Sequence, residues 1–107
     1  PSLQGLKEIA VREGAGGLRA AYERLKANDP QPFTQMVLAD LFSWLGFGRD
    51  ADFTRRTAVV RVWLEIYPDA ARGEFALARI LTAQNKGAEA RPHYERAISL
   101  LAVDRDV

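Results

Sequence analysis

The sequence predicts an all-α protein of about six helices, arranged in three antiparallel hairpins. Apolar residues recur at helical spacing in six segments of the 107-residue chain. Short turns rich in Gly, Asn, Asp and Pro separate these segments. The one segment that also suits a strand has no partner strand elsewhere in the sequence. These three observations favour paired helices over a sheet.

The first two segments form the first predicted hairpin. Apolar residues at positions 3–10 share one helical face, and Gly14, Gly16 and Gly17 are expected to end this helix. Residues 18–25 repeat the spacing. The turn at positions 28–30 then closes the second helix, because its proline cannot continue it.

The central hairpin carries the third and fourth segments. Residues 33–45 are apolar around much of the helix circumference, which is typical of a helix packed on several sides. Residues 53–67 follow, and Val59, Val60 and Val62 in this segment also suit a strand. A lone strand would leave its backbone groups unpaired, so we predict a helix here as well.

The last two segments form the third predicted hairpin. Asp69 is the predicted N-cap of the fifth helix, which runs to a turn where Asn85 and Gly87 tolerate left-handed backbone. The sixth helix is predicted from about position 88 to 101. Pro92 falls near its first turn, where the loss of an amide proton matters least.

The second, fourth and sixth helices share an internal repeat in which four residues are spaced four, three and five apart. The copies begin 38 and then 34 positions apart. The three sets are Leu18, Tyr22, Leu25 and Pro30; Arg56, Val60, Trp63 and Pro68; and Ala90, Tyr94, Ala97 and Ala102. This repeat resembles the tetratricopeptide family, whose 34-residue units are helical hairpins.

The resemblance implies one domain over residues 1–107, with units of roughly 1–30, 31–68 and 69–103 stacked into an α-α superhelix. The last unit matches best, although Glu74 stands where the family commonly has tryptophan and Ala102 replaces the terminal proline. In such a superhelix the first helix of each unit lines a concave face. A few polar side chains and apolar pockets in that groove bind a peptide or protein surface.

The predicted groove residues belong to the third and fifth helices: Gln35, Asp40, Ser43, Arg72, Arg79 and Thr82. Arg72 and Arg79 lie two turns apart on one face, where their guanidinium groups could engage a carboxylate. The alternative is that both are solvated arginines that balance Glu74 and Glu89. Phe47, in a glycine turn, is the predicted exposed anchor for a partner.

Much of the chain is also similar to the helical tail that follows the catalytic domain of some bacterial β-lactamase-like serine hydrolases. The similar stretches are residues 18–26, 38–46, 65–69 and the last repeat unit. This resemblance implies an accessory C-terminal domain that positions or regulates an attached hydrolase. None of that class's catalytic motifs occurs in the 107 residues.

The residue types argue against an enzyme, and we predict no cofactor and no metal. The sequence has no cysteine and one histidine, His93, so one chain cannot supply several imidazole or thiolate ligands. His93 is expected on the solvated side of its helix. The serines at positions 2, 43 and 99 lie in no nucleophile-elbow sequence.

Charge and hydropathy favour a protein or peptide as the partner. The formal net charge is +1, which provides no overall field for nucleic acid or an anionic membrane. Nucleic-acid binding is the lowest-ranked of the possible functions, because a single local patch of basic residues supports it. This patch consists of Arg49, Arg55, Arg56 and Arg61. No apolar run is long enough to span a membrane, so we expect a soluble domain, either cytoplasmic or periplasmic.

An apolar chain end suggests one further partner. Leu100, Leu101 and Val103 leave an end helix through which copies of the chain could associate. The alternative is that Arg96 and the charged residues at positions 104–106 keep this end solvated.

Overall fold

The computed structural model describes residues 2–46 and 53–105, and within them the chain forms six α-helices and no strand. The all-α prediction is therefore confirmed, and the β-branched run at positions 59–62 lies in the fourth helix. The helices are α1 (Leu3–Glu13), α2 (Ala15–Leu25), α3 (Gln35–Leu45), α4 (Phe53–Ile66), α5 (Ala71–Ala83) and α6 (Gly87–Arg105).

The connection between α1 and α2 is the single residue Gly14, whose φ of 73° lies in the left-handed region that favours glycine. The prediction that all three glycines end α1 was wrong, because Gly16 and Gly17 lie inside α2. Gly17 lets the two helices approach closely. A Cβ atom there would lie 2.6 Å from Glu13 Cβ and 2.8 Å from Ile9 Cγ2.

Side-chain caps begin two of the helices. Ser2 and Thr34 each accept a hydrogen bond from the amide three residues further on, and so begin α1 and α3. The start of α5 differs from the prediction. Ala70 is its N-cap residue and offers no side-chain acceptor, whereas Asp69 contacts Arg96 at 3.2 Å.

The core lies between α1, α2, α3 and α4. Leu38 and Leu41 of α3 are completely buried, as predicted for a central helix, and Trp63 of α4 is 2% exposed. Burial of each side chain of this size contributes roughly 1.5–3 kcal/mol. A second apolar cluster, centred on Val60 and Ile80, holds α5 against α4.

The helices pack in a regular order. The two helices of each hairpin contact each other: α1 with α2, α3 with α4, and α5 with α6. Between hairpins, α1 contacts α3, α2 contacts α4, and α4 contacts α5. The Cα atoms extend over 37 × 35 × 18 Å. The short dimension matches about two layers of helices, since a helix with side chains is roughly 10 Å across.

The last hairpin ends later than the sequence predicts. Asn85 has a φ of 62° in the turn after α5, in agreement with its predicted left-handed conformation. α6 continues to Arg105, and Pro92 lies inside it.

Across the described ranges, no helix is long and apolar enough to cross a membrane.

Candidate functional site

A cavity of about 360 Å³ lies between α3 and α5, with α4 beneath it and the end of α6 at its side. Its apolar lining includes Phe42, Trp63, Phe75 and Leu101. Phe75 and Leu101 are 44% and 48% exposed, so large apolar side chains stand open to solvent here. We call this space the α3/α5 cavity.

The structure brings three of the predicted groove residues to this cavity. Ser43 lies on its α3 side, and Arg72 and Arg79 lie on its α5 side. Arg72 and Arg79, two turns apart on α5, thus line the same cavity. Asp40 is an exposed residue of α3 but does not line the cavity.

The other two predicted groove residues are engaged by the protein itself. Gln35 Oε1 accepts a hydrogen bond of 2.9 Å from the indole Nε1 of Trp63. This bond fixes the buried indole that forms part of the cavity lining. Thr82 Oγ1 donates to the carbonyl oxygen of Ala78 at 2.9 Å and lies 3.2 Å from the hydroxyl of Tyr94.

Aromatic packing supports the exposed side of the cavity. The rings of Phe75 and Tyr94 meet edge to face, with centroids 5.4 Å apart and an angle of 80° between the planes. Such pairs contribute about 0.5–1.5 kcal/mol beyond the area they bury. Tyr94 of α6 therefore packs against the ring of Phe75, although nearly half of the surface of Phe75 is exposed to solvent.

Arg56 of α4 adjoins the cavity, which the sequence did not predict. Its guanidinium carbon lies 4.2 Å from the ring centroid of Phe42, within range of a cation–π interaction. Its Nε atom is buried and has no hydrogen-bond partner among the described residues. Burial lowers the pKa of Arg56, and the nearby charge of Arg79 lowers it further.

The cavity arginines are not balanced by Glu74, as the alternative reading of the sequence supposed. Glu74 instead contacts His93 and Arg96. In the part of the chain that the structure describes, neither Arg72 nor Arg79 forms an ion pair. Glu89 lines a separate cavity beside α4.

The environment of His93 corrects another expectation. His93 is partly buried and not on a fully solvated side, and its Nδ1 atom lies 2.6 Å from Oε2 of Glu74. Glu74 is 7% exposed and is a buried charged residue of α5. Residues 2–46 and 53–105 contain no group of three His, Asp or Glu side chains placed to hold a metal ion.

A second cavity, of about 290 Å³, lies between α1 and α3. Trp44 and Val11 line it, and Lys7 Nζ lies 5.2 Å from the centre of the Trp44 ring. The two cavities thus follow one another along α1, α3 and α5, the first helices of the three hairpins.

Two arginines of the predicted patch have different neighbours. Arg56 lies on Phe42, whereas Arg61 lines a third cavity with Lys86 and Glu89. Arg49 and the predicted anchor Phe47 lie outside the described residues.

Comparisons of the chain with protein-family models, with curated proteins and with solved structures give no match.

Proposed function

We propose that this chain is a non-catalytic protein-interaction domain that binds a peptide segment or protein surface in the α3/α5 cavity. The observation that carries the proposal is the combination, in one cavity, of exposed apolar side chains and basic side chains that form no ion pair with a described residue. Phe75 and Leu101 offer apolar contact, and Arg72 and Arg79 stand beside them. Interface centres commonly join apolar or aromatic anchors with arginine.

The arrangement of the helices supports a repeat-like scaffold. Contacts of α1 with α3 and of α2 with α4 are those expected when one helical hairpin stacks on the next. In a tetratricopeptide-like superhelix the first helices line the concave face, and both the α1/α3 and the α3/α5 cavities adjoin these helices. A peptide would then lie across α3 and α5.

The cavity favours a peptide over nucleic acid as the occupant. A nucleic-acid surface needs a row of cations that follows the phosphates. Here Arg61 is directed to a cavity that also contains Glu89, and the chain as a whole is nearly neutral. The apolar lining of the α3/α5 cavity matches an apolar peptide side chain better than a phosphate backbone.

A peptide-display selection tests the proposal. Random dodecapeptides are selected against the immobilised chain, and the enriched peptides are titrated against Ser43→Trp and Asp40→Trp by isothermal calorimetry. Both residues are exposed on α3, but Ser43 alone of the two lines the cavity. We expect Ser43→Trp to weaken binding about tenfold or more by occupying the cavity, and Asp40→Trp to have little effect. Absence of enriched peptides, or equal effects of the two variants, would contradict the proposal.

A further inference from the structure

The positive charge at the α3/α5 cavity lacks an acidic counterpart in the described part of the chain. Arg72 and Arg79 line the cavity, and Arg56 adjoins it at the ring of Phe42. None of the three arginines has an ion-pair partner among residues 2–46 and 53–105. Exposed arginines are often unpaired, but Arg56 is partly buried, and a missing partner is unusual there.

Among the described residues, the environment of Arg56 is unfavourable for a cation. Buried polar atoms nearly always have a hydrogen-bond partner, yet Nε of Arg56 has none among the residues that the structure describes. A second cation, Arg79, is close enough to affect its pKa. An anion bound beside the two guanidinium groups would cancel the repulsion between them and accept hydrogen bonds from the N–H groups that remain accessible, since Arg56 as a whole is only partly buried.

The neighbouring side chains indicate that this anion is part of an amphipathic ligand. Phe75 and Leu101 are each nearly half exposed at the same cavity. A free inorganic anion would leave these apolar surfaces in water, whereas a peptide can cover them with an aliphatic or aromatic side chain.

The spacing of the arginines defines the spacing of the acidic groups. Arg72 and Arg79 are seven residues apart on α5, which corresponds to a rise of about 10 Å along the helix. An extended peptide covers this length in about three residues. Arg72 also lies in the first turn of α5, where no side chain caps the amides and the helix dipole favours a negative charge.

We infer that the α3/α5 cavity recognises an internal acidic peptide segment, in which two Asp or Glu residues two to four positions apart flank an apolar residue. One carboxylate lies against Arg56 and Arg79, and the second lies against Arg72 and the start of α5. The apolar side chain enters the cavity beside Phe75 and Leu101. This inference rests on the proposed function and specifies the ligand.

The test compares two libraries of random dodecapeptides that are flanked on both sides by Gly-Ser linkers, so that no terminal carboxylate is present. One library contains all residue types, and the other lacks Asp and Glu. We expect the first to yield peptides with two acidic residues around an apolar residue. The second is expected to yield no peptide of comparable affinity.

Charge variants connect the selected peptides to the arginines. We expect Arg56→Met with Arg79→Met to weaken binding of the acidic peptides by about tenfold or more, and added NaCl to weaken wild-type binding. Arg24→Met with Arg61→Met removes the same charge from exposed positions away from the cavity and should change the affinity little. Arg56→Lys with Arg79→Lys keeps both positive charges. The affinity of this variant for the acidic peptides is measured as well, in case the double methionine variant does not fold.

The remaining outcomes distinguish the two proposals. Equal affinity of peptides from the library without acidic residues would overturn this inference and leave the proposed function standing. Enrichment from neither library would overturn both. Displacement of a selected peptide by a thymidine dodecamer, with steep salt dependence, would also overturn the inference, because the occupant would then be nucleic acid.

Discussion

The Nδ1 atom of His93 lies 2.6 Å from the Oε2 atom of the buried Glu74, and this contact joins α6 to α5. Arg96 approaches the other carboxylate oxygen at 3.3 Å. A buried carboxylate is costly unless it is paired, so these two residues from α6 compensate for placing Glu74 in the interior. The hairpin is thus held together by polar contacts as well as by apolar packing.

The first prediction concerns this pair. Glu74→Gln keeps the size of the side chain but removes its charge, so we expect the free energy of unfolding to fall by about 1–3 kcal/mol. His93→Gln should also destabilise. In the double variant, the two effects should differ from additivity by about 0.5–3 kcal/mol because the residues are in contact. Urea denaturation followed by circular dichroism measures all three quantities.

Glu95→Gln is the matched control for this cycle. Glu95 also lies on α6 and pairs with Arg91, but both side chains are well exposed. Such pairs contribute little, so we expect a change within about 0.5 kcal/mol. Additivity of Glu74→Gln and His93→Gln would show that the contact does not couple α5 to α6.

The second prediction concerns the close approach of α1 and α2. Gly17→Ala introduces a Cβ atom that meets Glu13 and Ile9 at less than 3.0 Å, so we expect a destabilisation of about 1–3 kcal/mol from overpacking. Gly16→Ala is the control, because a Cβ there meets nothing within 4 Å. It should leave stability unchanged or raise it by up to about 1 kcal/mol. Thermal unfolding of both variants measures the two changes in stability. Equal stability of the two variants would contradict the prediction and mean that α1 and α2 can separate freely.

Most of the fold follows from local patterns. The apolar spacing in the six segments predicts the helices because each helix buries one face, and the tendencies of Gly14 and Asn85 predict two turns. Glycine usually interrupts a helix, so the sequence predicts a turn at Gly17. Its actual role depends on the distance between two helices, which no local pattern encodes.

The candidate site was predictable only in part, for a similar reason. Ser43, Arg72 and Arg79 share the cavity because helical periodicity places them on facing sides of α3 and α5. The contact of Arg56 with Phe42 joins α4 to α3, and the Glu74–His93 pair joins residues 19 positions apart. Such contacts depend on how the helices pack, which the spacing within one helix does not determine.

The third prediction tests whether Gln35 stabilises the fold or contacts the ligand. Because Gln35 accepts the hydrogen bond of the Trp63 indole, Gln35→Ala should lower the free energy of unfolding by about 0.5–1.5 kcal/mol. Asp40→Ala, on the same helix and exposed, should change stability little. Indole fluorescence during urea unfolding reports both variants. A loss of peptide binding without any loss of stability in Gln35→Ala would instead make Gln35 a ligand contact.

The fourth prediction compares two arginines with opposite environments. Arg56→Met should cost no more than about 0.5 kcal/mol, because methionine can keep the packing on Phe42 while a desolvated charge is removed. Arg96→Met should cost about 1–3 kcal/mol, since it leaves the buried Glu74 with one partner fewer and also loses contacts to Asp69 and Pro68.

Chemical denaturation of the two variants under identical conditions provides the comparison. If Arg56→Met destabilises the chain as much as Arg96→Met, Arg56 is needed for folding, and its position beside Arg79 no longer argues for a bound anion. If Arg56→Met is as stable as the wild type, the protein keeps this partly buried cation without a gain in stability. That result is the one expected if the guanidinium group of Arg56 serves to bind an acidic partner.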